Sequence, residues 1–165
     1  RDFCLSRGLG DVYKRQVGGI KLITHIAKGQ NPTAVSTVFE FLAKDPSRKE
    51  IILILDEVFD SPLKTETISW IYDTDYEFLC QDCIQKIVLG GARYLDHRLR
   101  LLLAGVPAEK IVCLRQELDT ADYVDTTGID KIYILHDVNA ISRGRKIRDL
   151  VKSRIRAERG AGCEN

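Results

Sequence analysis

The chain has 165 residues, with 25 Lys and Arg against 24 Asp and Glu, a formal net charge of +1 and 44% hydrophobic residues. That is the length of one ordinary domain able to bury a single core. Near neutrality excludes a general electrostatic preference for nucleic acid or an anionic membrane, and no apolar run is long enough to span a bilayer.

Residues 1–16 precede the first patterned element, and back-translation gives them another origin. Asp11 to Gln16 is encoded by GAT-GTG-TAT-AAG-AGA-CAG, which resembles the transposase recognition end used in sequencing libraries. Ser6 to Gly10 resembles the adapter arm beside that end, Arg1-Asp2 resembles the outer primer, and Phe3-Cys4-Leu5 is left for a sample barcode. Residues 1–16 are therefore expected to be adapter-derived, outside the native fold, with the gene truncated at that junction. Setting them aside removes four basic residues (Arg1, Arg7, Lys14, Arg15) and two acidic ones (Asp2, Asp11), leaving 21 against 22.

From Ile20 onward, apolar runs alternate with helical patterns. Ile20 to Ile26 is short and β-branched. Asn31-Pro32 supplies an N-cap and a proline at the first helical position, opening a helix through Val35, Val38, Phe39 and Leu42 that Asp45-Pro46-Ser47 ends. Glu50 to Leu55, Lys86 to Leu89, Ile111 to Leu114 and Lys131 to Leu135 read as strands covered on both faces, which makes five strands in all. Helices are expected over Arg93 to Ala104, with Gly105 as its cap, and from about Ala140 to Arg156, with a short turn near Glu117 to Tyr123. This alternation predicts an α/β fold: one Rossmann-like three-layer domain over residues 17–158 with a mostly parallel sheet, followed by a frayed tail at 159–165. Sites in such sheets gather at the carboxyl ends of the strands. Sparse cysteines suggest a reducing compartment, and the expected location is cytoplasmic.

Several stretches bear on chemistry. Asp56-Glu57 has the look of a strand-end acidic pair of a nucleotide hydrolase, but no G-x-x-x-x-G-K-[ST] loop accompanies it. Gly90-Gly91 stands between strand and helix, and reads as a tight turn rather than an anion cradle. Arg93, Asp96 and Arg100 read as charge pairs along an exposed helix face. Cys80 and Cys83 have the spacing of half a zinc site without its other half; His25, His97 and His136 show no ligand spacing, so no metal is expected. The basic C-terminal stretch places Ile147, Val151 and Ile155 on one face, a packing helix without the features of a nucleic-acid binder. The most informative stretch is Ile68 to Leu79, "ISWIYDTDYEFL", where Asp73, Asp75 and Glu77 alternate with Trp70, Tyr72, Tyr76 and Phe78. As a half-buried strand or an amphipathic turn, it would hold a carboxylate in an aromatic wall, a setting able to orient a partner histidine.

Three of these segments together resemble the C-terminal domain of the MurT family, the ligase subunits of lipid II isoglutaminyl synthase within the Mur ligase superfamily. Gln30 to Ala34 is similar to the family's N-P-x-G/A helix start, Ser69 to Asp73 to its S-W-I-W-D motif with Tyr72 at the second tryptophan, and Gly90 to Val106 to its G-x-R-x-x-D-x-x-x-R-L-x-x-A-G-V helix. The family's N-x-x-A-D-G-x-D loop is replaced here by "DEVFDSPLKTETI". The resemblance implies a Mur-type C-terminal domain of an amidoligase that amidates the D-glutamate α-carboxyl of lipid II in peptidoglycan synthesis, using ATP and magnesium bound mainly by a missing central domain. None of that cofactor is expected on this fragment, which should be inactive alone. It further implies a GatD-like glutaminase partner, whose cysteine and histidine are completed as a triad by an aspartate of this domain, at the position of Asp73. The alternatives are a P-loop ATPase fragment built on Asp56-Glu57 and a non-catalytic interaction module using the aromatic surface.

Overall fold

A computed structural model describes residues 12–55 and 68–160 of the chain. Asp56 and Glu57, and most of the C-terminal tail, lie outside the described residues.

Strands β1 (Val12–Val17), β2 (Ile20–Ile26), β3 (Lys49–Ile54), β4 (Ile84–Gly90), β5 (Ile111–Leu114) and β6 (Lys131–His136) form one sheet in the order β1-β2-β6-β3-β4-β5. All neighbours are parallel except β1 and β2. Along β3, Ile51 and Leu53 enter one core with Ile23, Ile87 and Tyr133, while Ile52 and Ile54 enter a second with Leu22, Val88 and Ile134. Both faces of the strand are apolar because both are covered. The first core is roofed by α1 (Pro32–Lys44), α2 (Ser69–Asp73) and α3 (Tyr94–Leu103), through Val35, Phe39, Leu42, Trp70, Ile71 and Leu101. The second is roofed by α4 (Ile141–Gly160), through Ile147, Val151 and Ile155, with Ala121 of the 3-10 turn Leu118–Asp122. This is the three-layer α/β arrangement expected from the pattern.

Local chemistry sets the helix ends. Asn31 Oδ1 accepts the Ala34 amide at 3.0 Å and Pro32 occupies the first turn, where its missing N–H costs nothing. At the end of α3, Gly105 takes φ +88°, its amide donates to Leu102 O at 3.1 Å and that of Val106 to Leu101 O at 3.0 Å, a Schellman closure.

Two features depart from the expectation. The sheet has six strands, not five: Val12–Val17 pairs antiparallel with β2, from Val12 opposite His25 to Val17 opposite Ile20. Gly18 and Gly19, at φ +53° and +81°, supply the two-residue turn, a geometry that suits the twist of a hairpin. Of the strand residues whose side chains are described, Lys14, Arg15 and Gln16 are exposed and Val17 is buried, so their pairing rests on main-chain groups, which β2 offers along an open edge whatever the incoming sequence. Secondly, β3 opens on two buried charged residues, Lys49 and Glu50, rather than being apolar throughout.

Candidate functional site

The stretch around Asp73 folds as the short α2 followed by a 3-10 turn, Tyr76–Leu79, and not as a strand. A helical step of about 100° per residue brings Trp70, Ile71 and Thr74 to one side and turns Ser69, Tyr72 and Asp73 outward. Trp70 is 6% exposed and Ile71 fully buried, whereas Tyr72 is 40% exposed. The Thr74 hydroxyl donates to Trp70 O at 2.7 Å, satisfying a carbonyl that the end of so short a helix would leave open. The Asp75 amide donates to Ser36 Oγ of α1 at 2.9 Å, which ties the next residue to a neighbouring helix.

Beneath this segment lies a buried polar network. His97 of α3 is fully buried, with Nε2 3.3 Å from Leu55 O at the carboxyl end of β3 and Nδ1 2.5 Å from the Tyr76 hydroxyl. A consistent proton order has His97 Nε2–H donating to the carbonyl and the tyrosine O–H donating to Nδ1. Burial drives the Tyr76 hydroxyl far above its ordinary pKa despite nearby Arg100, so it remains a donor. Trp70 meets the His97 ring edge-on at 5.9 Å, and Phe39 meets Tyr76 edge-on at 5.0 Å. Arg100 lies 5.3 Å from the Tyr76 ring centre and donates through Nη2 to Thr74 O at 2.9 Å and to both Glu77 carboxylate oxygens at 2.9 and 2.8 Å. The guanidinium holds the Glu77 carboxyl below its ordinary pKa. Together these groups pin the backbone on either side of Asp73 to α3 and to the end of β3.

Asp73 itself is exposed, and among the described residues its carboxylate makes no hydrogen bond or ion pair. The aromatic wall therefore differs from the one expected: Trp70 and Tyr76 fix the backbone from below, and the carboxylate stands clear of them because a helix, unlike a strand, puts residues 72 and 73 on the same outer side. Asp75 is likewise exposed, and Glu77 is engaged by Arg100. The charge pattern of α3 also needs correction. Arg93 and Asp96 do pair, at 3.9 Å, but Arg100 is 9% exposed and turned toward the Tyr76 turn, because Thr74 and Glu77 supply acceptors that the helix's own sequence does not reveal. His97 and Arg100 are the residues that sequence reasoning missed; the available signal was their i, i+3 spacing on the core side of the helix.

The other candidates separate from this site. Gly90 is small because the 118–122 turn packs on it: a Cβ there would lie 2.7 Å from Thr120 Cγ2 and 3.2 Å from Glu117 Cα. Gly91 takes φ +104°, as a turn glycine does. Cys83 accepts a hydrogen bond from Lys49 Nζ at 3.1 Å, and Cys80 is exposed with its thiol 3.4 Å from Gly105 O. His25 and His136 are buried at the ends of β2 and β6, where burial lowers both below the ordinary imidazole pKa. A groove of about 280 Å³ lies on the α1 side of the sheet, floored by Ile23 and Tyr133 and bordered by Phe41, Lys21, Lys44 and Lys131. It occupies the amino-terminal edge, where Asp45 accepts from Lys131 at 2.7 Å and Tyr133 at 2.8 Å. Among the described residues no three His, Cys, Asp or Glu side chains converge as a metal site, and no helix is long and apolar enough to cross a membrane.

Comparison with known proteins bears directly on α2 and its supports. The family model for the MurT ligase C-terminal domain matches residues 29–141, a span that contains α1, Asp73, the buried network and the end of β6. The MurT subunit of the glutamine-hydrolysing lipid II isoglutaminyl synthase of Streptococcus pneumoniae is 30% identical over 121 residues, covering 72% of this chain and 26% of that protein. The chain thus spans about a quarter of the length of that curated relative.

Proposed function

The chain belongs to the MurT ligase C-terminal family, and on that premise we propose that it is the C-terminal domain of an amidoligase subunit that, with a glutaminase partner, amidates the D-glutamate α-carboxyl of lipid II. The domain's part in this reading is to complete the glutaminase site. Asp73 accepts a hydrogen bond from one ring nitrogen of a histidine on the partner, fixing its tautomer. The other nitrogen then takes the proton of the partner's cysteine, and the carboxylate stabilises the imidazolium without itself becoming protonated.

The observation that supports this most is that Asp73 combines a backbone tied down by hydrogen bonds at Trp70 and Thr74 with an exposed carboxylate that pairs with none of the described residues. A triad acid supplied across an interface needs both properties. Its direction must be set before the partner arrives, and it must not already be committed to an internal cation.

ATP and magnesium would supply carboxyl activation in the whole enzyme. The described residues do not fit them: no ligating cluster converges, and the Gly90 turn is filled by Thr120 rather than open to a phosphate. No step through that cofactor is assigned to this domain.

The test is Asp73→Asn in the full-length subunit assembled with its glutaminase. The amide should leave the complex intact and lower ammonia release by about 10²- to 10⁴-fold, the range expected when a triad acid loses its charge. Asp75→Asn serves as control and should be mild. Normal turnover in the Asp73 variant, with loss in the Asp75 variant, would show that the wrong carboxylate has been chosen; normal turnover in both would remove the divided triad.

A further inference from the structure

At the foot of the second core, on the α4 side of the sheet, sits a carboxyl group with no place in the proposed chemistry. Glu50 is fully buried in β3, directly opposite Lys86 of β4 in the ladder. One of its oxygens, Oε2, accepts the backbone amide of Asp125 at 2.9 Å, a contact between residues 75 apart in the chain. The other, Oε1, has no hydrogen-bond partner among the described residues and lies 3.7 Å from Lys86 Nζ. That same ammonium donates to the Asp125 carboxylate at 2.8 Å and to Tyr123 O at 3.0 Å. Two carboxyl groups thus share one lysine beneath a segment without regular secondary structure, between the 118–122 turn and β6.

The surrounding charges do not neutralise the second acid. From α4, Arg154 donates to Ala121 O and Val124 O at 3.0 and 2.8 Å and pairs with Glu158 at 3.0 Å, while Glu158 also accepts from the Thr126 hydroxyl. From β6, Lys131 points to the opposite face, where Asp45 takes it at 2.7 Å; Lys49 is turned to that face too, toward Asp45 O and Cys83. Among the described residues Lys86 is the cation that pairs with both Glu50 and Asp125, while Arg154 acts on Asp125 from further away.

We propose that Glu50 is the catch of a pH-dependent clasp on the segment Tyr123–Thr126, closed while its carboxyl is neutral and opened when ionisation sets a second negative charge beside Asp125. The clasp stands apart from the ligase reading and does not depend on it. Burial pushes the Glu50 carboxyl up to about 7, against the opposing pull of the Asp125 amide and Lys86. Asp125 is held below its ordinary value, since Lys86, Glu50 and Arg154 together outweigh its partial burial. A group whose pKa is raised on closing favours the closed form below its open-state value and loses that advantage as the pH climbs to the closed-state value. The ratio of closed to open should then fall by up to about tenfold per pH unit from near 4.5 to about 7, and level off above.

Hydrogen exchange of the Asp125 backbone amide in the complete chain, corrected for its intrinsic rate, reads the clasp directly. Corrected protection should drop as the pH is raised toward 7 and then plateau, and Glu50→Gln, which keeps the acceptor but cannot ionise, should flatten the profile. Protection independent of pH in the parent, or the same pH dependence in Glu50→Gln, overturns the proposal. Should the variant fail to fold, direct carbon-13 titration of the Glu50 carboxyl in the parent decides the matter: a midpoint near neutrality supports the clasp, and one in the ordinary glutamate range overturns it.

Discussion

Replacing Arg100 by methionine removes the guanidinium and keeps most of the apolar stem, so the loss reports on the polar contacts alone. Three terms contribute. The bond from a charged donor to the buried Thr74 carbonyl is worth about 1.5–3 kcal/mol. The guanidinium at 5.3 Å from the Tyr76 ring adds about 0.5–1 kcal/mol. The Glu77 pair adds at most about 1 kcal/mol, because its carboxylate side chain is 59% exposed and screened by water. Allowing for overlap, Arg100→Met should cost about 2–4 kcal/mol, measured as a shift in the urea midpoint at unchanged slope. Glu77→Gln, which leaves the Thr74 bond in place, should cost less than about 1 kcal/mol. An exposed helix-face pair of the kind suggested by the Arg93, Asp96, Arg100 spacing would also be worth under about 1 kcal/mol. A loss that small for Arg100→Met would refute the buried network as the anchor of the Asp73 segment.

Gly144→Ala should destabilise the domain even though alanine favours a helix by about 1 kcal/mol, because the new Cβ would overlap His136 Cδ2 and the ring is closed in at the end of β6; a gain in thermal stability would mean the ring turns aside freely. Deleting residues 1–16 should cost less than about 1 kcal/mol, since the strand's backbone hydrogen bonds are worth roughly 0.5–1.5 kcal/mol each while fixing each residue costs about 1–2. A clearly larger drop in the unfolding midpoint would make β1 an integral edge of the sheet and count against its adapter origin.

The parts of the fold legible in the sequence are those whose cause is local. Asn31-Pro32 begins α1 because the cap and the proline act within one turn, and Gly105 ends α3 because only its own φ matters. The β3 and β6 runs were visible because cover on both faces leaves no polar alternation to confuse with a helix. What escaped detection depends on long-range partners. His97 meets acceptors and donors 42 and 21 residues away, and Arg100 a carbonyl 26 residues away. Seen along α3 alone, Arg93, Asp96 and Arg100 have the spacing of charge pairs on a solvated face. Glu50 reads as the start of an apolar strand for a similar reason: the lysine and the amide that accompany it come from β4 and from a segment 75 residues on.

The same distinction explains why Asp73 could be picked from a motif while its environment could not. A carboxylate locked by an internal arginine would be well oriented but already neutralised, and a partner's imidazolium would have to displace that cation. In this fold the arginine is spent one residue later, on the Thr74 carbonyl, and on Glu77. The restraint thus reaches Asp73 through the backbone, and among the described residues no cation pairs with its carboxylate. On this view Arg100→Met should disturb glutaminase turnover more than assembly, because it loosens the direction of Asp73 without touching the exposed face that a partner would meet.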